Sequence, residues 1–223
     1  MVKCDYAFSI DGLAVQGGLF VQLLGSCERE VFDTIGKWIH DEWPGETGAY
    51  GKSGAQAVAD DFWNTTYRPA QPTPTPDSSS SFSPSSPSHE VSLPVVTLPV
   101  TLVARRARDG KVVGTVSLVA EDMAGRDAEL GPWLAALYVD QRARGSGAGK
   151  LLVDAAAALA RRMAANAAGG GAMTRLHLWF PTSKPHLKAF YEANGWVTTE
   201  PKARYDSSSF GGEVTIMRLR DLI

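Results

Sequence analysis

Leu137-Tyr138-Val139-Asp140-Gln141-Arg142-Ala143-Arg144-Gly145-Ser146-Gly147-Ala148-Gly149-Lys150-Leu151-Leu152 joins two segments of opposite character. Before it, the apolar run from Trp133 to Val139 reads as a buried strand. After it, the Ala/Leu-rich stretch from Lys150 to Ala168 reads as a helix. A strand that turns through glycines into a helix leaves backbone N–H groups unpaired at the helix N-terminus, where the peptide dipoles sum to a partial positive charge. Such a turn can seat a phosphate or pyrophosphate, and glycine lets the ligand approach the amides without meeting a Cβ.

Two phosphate-loop patterns fail on spacing. A Walker A loop needs Gly-x-x-x-x-Gly-Lys-Ser/Thr, but Arg144 stands where its first glycine belongs and Leu151 where its hydroxyl belongs. The dinucleotide pattern Gly-x-Gly-x-x-Gly does not fit Gly145, Gly147 and Gly149. Arg-Gly-x-Gly-x-Gly, read at Arg144 to Gly149, resembles the acetyl-CoA pyrophosphate loop of the GNAT superfamily of N-acetyltransferases. A tight turn with no ligand would give a similar local sequence, so the downstream residues matter.

Leu176 to Phe180 reads as a strand, and Ser183 stands where it can cap a helix from Lys184 to Ala193. Asn194-Gly195 offers a left-handed stop. That helix carries Phe190-Tyr191 and is followed by Gly195-Trp196, and Phe-Tyr-x-x-x-Gly-Trp resembles the second GNAT signature. The resemblance spans roughly residues 97–220. Gly114 to Met123 and Pro132 to Val139 also look like the corresponding runs of one GNAT group.

The resemblance implies an α/β fold, a mixed and mostly antiparallel sheet with helices on both faces. It implies an acetyl-CoA-dependent N-acetyltransferase in which a primary amine attacks the thioester directly. The central strand at Leu137, Tyr138 and Val139 would hold the pantetheine arm through backbone groups of Leu137 and Val139. Gly145, Ser146, Gly147, Ala148, Gly149 and Lys150 would hold the pyrophosphate, with Arg142, Arg144 or Lys150 adding charge; a solvated face is the alternative for these side chains. Tyr191 would be the general acid, since a phenol near 10 gives its proton to a thiolate near 8.5 at little cost. Packing against the sheet is the plainer role for an aromatic there, and it suits Phe190 better. Relatives often carry asparagine where this chain has Lys184, so Ser183 is the substitute contact to the cofactor.

No carboxylate lies within Trp133 to Val139, so the base must come from elsewhere. Glu121 and Asp122, at the end of the adjoining strand, are the candidates, with Glu129 a further option. His177 alternates with Leu176 and Leu178 and reads as a core residue rather than a base. Deprotonating an α-amino group at pH 7 costs about 1.4 kcal/mol, against almost 5 for a lysine-like amine, so a weakly basic acceptor needs little help.

Outward from this centre, Leu19 to Leu24 reads as a first strand, and Ser26 as the cap of a helix carrying Val31, Phe32, Ile35, Trp38, Ile39 and Trp43. Pro44-Gly45 ends it, and a second helix runs from Ser53 to about Tyr67. In the family these helices lie over the acceptor, which makes Trp43, Tyr50 and Trp63 candidates for the pocket or for the core. Leu98 to Arg105 and Lys111 to Val119 flank the hairpin signal Arg108-Asp109-Gly110. Val197 to Lys202 and Glu213 to Leu219 close the chain as an antiparallel pair. The expected order is β-α-α-β-β-β-α-β-α-β-β in one domain over 1–223.

From Pro69 to Glu90 six prolines and eight serines leave almost nothing to bury, so 69–92 is expected to be a disordered insertion, a passive loop in preference to a docking or phosphorylation segment. Residues 1–17 read either as an added edge strand or as a loose arm. A hydrophobic content of 44% and charge of 21% describe a globular protein. A net charge of -2 gives no reason to expect nucleic acid or an anionic membrane as partner. Cys4 and Cys27 suit a reduced compartment, and neither a membrane span nor a signal peptide is visible, so cytoplasm is expected. No metal is expected. The acceptor is a small-molecule or peptide amine, the former preferred because carboxylates gather at Glu121, Asp122, Asp127 and Glu129. The chain would act as a monomer or homodimer. A non-catalytic acyl-CoA-binding or protein-interaction module on the same fold is the alternative.

Overall fold

The computed structural model describes residues 17–25, 28–42, 54–66, 98–166, 173–206 and 211–222, with backbone only at 61–66 and 166. Expectations for residues 1–16, Cys4, Ser26, Cys27, Trp43, Pro44-Gly45, Tyr50, the Trp63 side chain and the insertion at 69–92 lie outside the described residues.

In chain order the elements are β1 (Leu19–Leu23), α1 (Arg29–Glu42), α2 (Ala55–Thr66), β2 (Val100–Arg106), β3 (Val112–Val119), α3 (Asp127–Leu130), β4 (Trp133–Val139), a 3-10 turn (Gln141–Ala143), α4 (Ala148–Asn166), β5 (His177–Pro181), α5 (Pro185–Glu192), β6 (Trp196–Asp206) and β7 (Gly211–Leu219). The strands form one sheet in the order β1-β2-β3-β4-β5-β7-β6. Every neighbouring pair is antiparallel except β4 and β5. The hairpin between β2 and β3 closes at Gly110, whose φ of 68° is the left-handed conformation glycine takes without strain. Three expectations need correcting. α3 lies between β3 and β4, where the expected order has no helix, and the Asp127 carboxylate gathers the turn before it by accepting from the Asp122 and Met123 N–H groups. β6 runs four residues past Lys202, paired to β7. Ser183 does not cap α5: Lys184 occupies that position without a side-chain hydrogen bond, and Pro185, with φ already helical and no N–H to satisfy, opens the helix.

Two apolar layers sandwich the sheet. On one face Phe32, Ile35 and Ile39, a stripe along α1, meet Val58 of α2, Val103 and Tyr138. Gly36 lets the two helices touch: a Cβ there would lie 2.5 Å from the Ala59 nitrogen. On the other face α4 buries Leu151, Leu152, Ala155, Ala156 and Leu159 against Leu102, Ala104, Val116 and Leu134. Gly114 sets that approach, since a Cβ would stand 2.9 Å from Leu152 Cδ1. α5 covers the β5 side of the same face through Leu187, Phe190 and Tyr191.

Candidate functional site

β4 and β5 share a single registered pair, Trp133↔His177, opened by His177 N–H donating to the Pro132 carbonyl at 3.1 Å. Beyond it they diverge, while β4 stays paired to β3 as far as Gly114↔Val139. Asp140 N–H donates to the Val113 carbonyl at 2.9 Å. Backbone groups alternate in direction along a strand, so those of Val139 face away from β3, into the gap toward β5. The apolar character of Trp133–Val139 thus hides two surroundings: Trp133 and Leu134 are buried, whereas Ala135, Ala136 and Leu137 are only half-buried.

At the open part of β4 the ladder skips. Ala135 pairs with Ser117 and Tyr138 with Thr115, so Ala136 and Leu137 oppose Val116 alone. Ala136 has φ 51°, which makes the site a bulge with a non-glycine residue in the left-handed region. A backbone amide turned out of the ladder in this way is available to a carbonyl oxygen. Nothing in the local sequence signals it, because alanine is not a residue of choice for positive φ.

The loop at the end of β4 is exposed from Arg144 to Gly147. Gly145 and Gly147 have φ of 78° and 88°, the conformations that swing the chain into α4. Ser146 Oγ donates to the Ala143 carbonyl at 2.6 Å, which fixes the turn. α4 begins at Ala148, two residues before the expected Lys150, and its first N–H groups have no carbonyl four residues back within the helix. Phe190 of α5 lies over Gly149, where a Cβ would be 3.5 Å from its ring. The glycine loop and the aromatic helix therefore flank the same gap.

The basic residues take separate paths. Lys150 pairs with Asp154 at 2.6 Å along the outside of α4, and Arg142 is exposed. Arg144 turns back: its Nε donates to the Val139 carbonyl at 3.1 Å, and its guanidinium meets Glu42 of α1 at 3.1 Å. It also lies 5.5 Å from the centre of the Tyr138 ring, which stacks on Trp38 at 5.3 Å. Tyr138 thus faces α1, while Leu137 and Val139 lie toward the α4 face.

Tyr191 is buried at 7% exposure among Phe180, Phe190 and Trp196, with ring centres 5.2–6.0 Å apart. Burial pushes its phenol well above the ordinary value, so it stays protonated at any working pH. Ser183 sits at the end of β5 with Pro181, Thr182, Lys202 and Glu213 around an open hollow.

The carboxylates expected to gather beside the site divide. Asp127 Oδ1 accepts from the N–H groups of Asp122 and Met123 and from Trp133 Nε1, each at 2.8 Å, which is a structural load. Glu129 is exposed and pairs with Arg126 at 3.1 Å. Glu121 is exposed. Asp122 is half-buried, and Trp179 Nε1, on β5 two residues beyond the closing pair, donates to its Oδ2 at 2.9 Å. Burial, with Asp127 nearby, pushes the Asp122 carboxyl up to about 7 against the lowering effect of that indole. His177 is a core residue: it is 5% exposed, its Nδ1 lies 2.5 Å from the Leu130 carbonyl, and burial lowers its pKa. Among the described residues no helix is long and apolar enough to cross a membrane.

Comparisons with known proteins point one way. Residues 100–198 match a family model described as acetyltransferase (GNAT) domain. A spermidine N-acetyltransferase SpeG chimera from Vibrio cholerae and hSSAT is similar in structure, with TM-score 0.54 and 12% identity over 91% of this chain and 95% of that one. An acetyltransferase of GNAT family from Streptococcus pneumoniae has TM-score 0.50 and 16% identity, covering 90% of this chain and 97% of the other. At such identities the likeness speaks for the fold. No curated protein matches by sequence.

Proposed function

We propose that this chain, whose residues 100–198 match a GNAT acetyltransferase domain model, transfers the acetyl group of acetyl-CoA directly to a primary amine of a small molecule. The observation that carries the reading is the gap between β4 and β5, edged by Val139 and ending at the glycine turn where α4 begins. A pantetheine arm can pair with the edge of β4 that β5 leaves outside the ladder, almost as an added strand, while Gly145 to Lys150 receive the pyrophosphate. The turned-out backbone at Ala136 supports an oxyanion role for this part of β4, because a fixed donor costs no reorganisation when charge develops.

In this reading the amine nitrogen attacks the thioester carbonyl carbon. The tetrahedral intermediate collapses with loss of the C–S bond, and Tyr191 gives its proton to the departing thiolate; burial keeps that proton in place until then but makes the phenol a weaker acid than the free side chain, so the transfer costs more than for an ordinary tyrosine. The proton leaving the amine passes through water to Asp122, whose pKa of about 7 suits a base at neutral pH better than an ordinary carboxylate would. Asp122 is preferred to Glu121 on that ground and on its contact with β5. Ser183 is assigned a secondary cofactor contact. The whole chain acts as one domain in the cytoplasm, with 69–92 a passive insertion.

Coenzyme A release from acetyl-CoA, measured against polyamines, arylamines, amino acids and short peptides, tests the reading, with Tyr191→Phe alongside. Turnover on a small amine, reduced about a hundredfold in the variant with acetyl-CoA affinity unchanged, is expected. Turnover on peptides alone would overturn the small-molecule assignment. Full activity of Tyr191→Phe would remove the acid role.

A further inference from the structure

Arg144 stands between the two substrate sides. Its Nε occupies the Val139 carbonyl, which faces the gap, and its guanidinium is held there by Glu42, 102 residues earlier at the last position of α1. The Tyr138 ring lies 5.5 Å below it, and Trp38, one turn before Glu42, stacks on that ring. Arg144 is half-exposed and Glu42 about a quarter exposed, so the pair is one that an incoming anion can exchange. A guanidinium binds phosphate in the same bidentate manner as it binds carboxylate.

We propose that Arg144 is a positioning residue shared by the donor and acceptor sides. Without donor, Glu42 holds it on the Val139 carbonyl; when a pyrophosphate-bearing donor binds, the guanidinium leaves both partners. Val139 is then free for the pantetheine arm, and the last turn of α1 loses its tie to the loop. Because α1 covers the face of the sheet opposite α4, donor binding loosens that face for the acceptor. The inference rests on the donor site proposed above.

Titration calorimetry with coenzyme A itself tests it, using the full chain as wild type, Glu42→Gln, Arg144→Gln and the double variant. Glu42→Gln should bind coenzyme A about two- to fivefold more tightly, the span that an exposed ion pair commands, with the gain fading at high salt. In the Arg144→Gln background the Glu42 substitution should change nothing. Hydrogen exchange at residues 38–42 should quicken in the wild type on adding coenzyme A and stay unchanged in Arg144→Gln. Equal affinity of wild type and Glu42→Gln overturns the proposal. So does an equal gain in both backgrounds, which would mean only that an anion prefers one carboxylate fewer nearby. A wild type that binds no coenzyme A defeats the donor-site reading itself, and the proposal with it.

Discussion

Replacing Asp122 by asparagine should make the protein more stable and less active, each in a pH-dependent way. The carboxyl has a pKa of about 7 when folded, against 3.8 as the ordinary value. A group whose folded pKa is raised contributes stability below its unfolded pKa, and that contribution is lost as pH rises through the folded value. The charged carboxylate therefore weighs against the fold progressively from about pH 4 to pH 7 and constantly above. Three units at about 1.4 kcal/mol each give about 4 kcal/mol, and water reaching a half-buried carboxylate trims this to about 2–4. Asparagine keeps an oxygen for Trp179 Nε1 and carries no charge. Above pH 7 the variant should thus melt on the order of 10 °C higher. Melts of both proteins at pH 4, 5, 6, 7 and 8 would show the difference opening with pH and levelling past 7. In parallel, the wild-type kcat/KM should rise with pH to a plateau above about 7, and the variant should lack this limb. A stability difference that is independent of pH, or that narrows as pH rises, would refute the buried carboxylate.

Trp179→Phe removes the donor that favours the charged form of Asp122, so the ascending limb of the pH–rate profile should move to higher pH; an unmoved limb would disconnect Asp122 from the rate. Gly147→Ala places a Cβ on a backbone at φ 88°, which costs about 1–2 kcal/mol, and should weaken coenzyme A binding about tenfold by reshaping the turn; calorimetry reads it directly. Gly36→Ala puts a methyl 2.5 Å from the Ala59 nitrogen, so α1 and α2 must part and urea melts should show a loss of about 1–3 kcal/mol. A midpoint equal to that of the wild type would mean the helices do not cross there.

What could be read from residues alone follows from how local each determinant is. Trp133 to Val139 gave itself away by seven apolar positions in a row, and the strand has those bounds. Gly110, Gly145, Gly147 and Gly195 mark left-handed turns because only their own φ is at stake. The bulge at Ala136 left no such mark, since it arises from the mismatch of two strands and not from a residue preference. Asp122 was one carboxylate among four until β5 set Trp179 beside it and Asp127 was drawn into the turn. The partner of Arg144 lies 102 residues away, where no spacing rule reaches. Ser183 illustrates the opposite error: a good capping residue one place too early, displaced by the fixed φ of Pro185.

The sparse pairing of β4 with β5 gives the sheet a seam. On one side lie β1 to β4 with α1, α2 and α4; on the other, β5 to β7 with α5. A donor lying along Val139 and under Phe190 would touch both plates, supplying across the seam the rungs that the ladder lacks. It would act there as a splint as well as a reactant. Saturating donor should then unite two units of hydrogen exchange into one, with the largest slowing at the amides bordering the gap and little change in the β2–β3 hairpin.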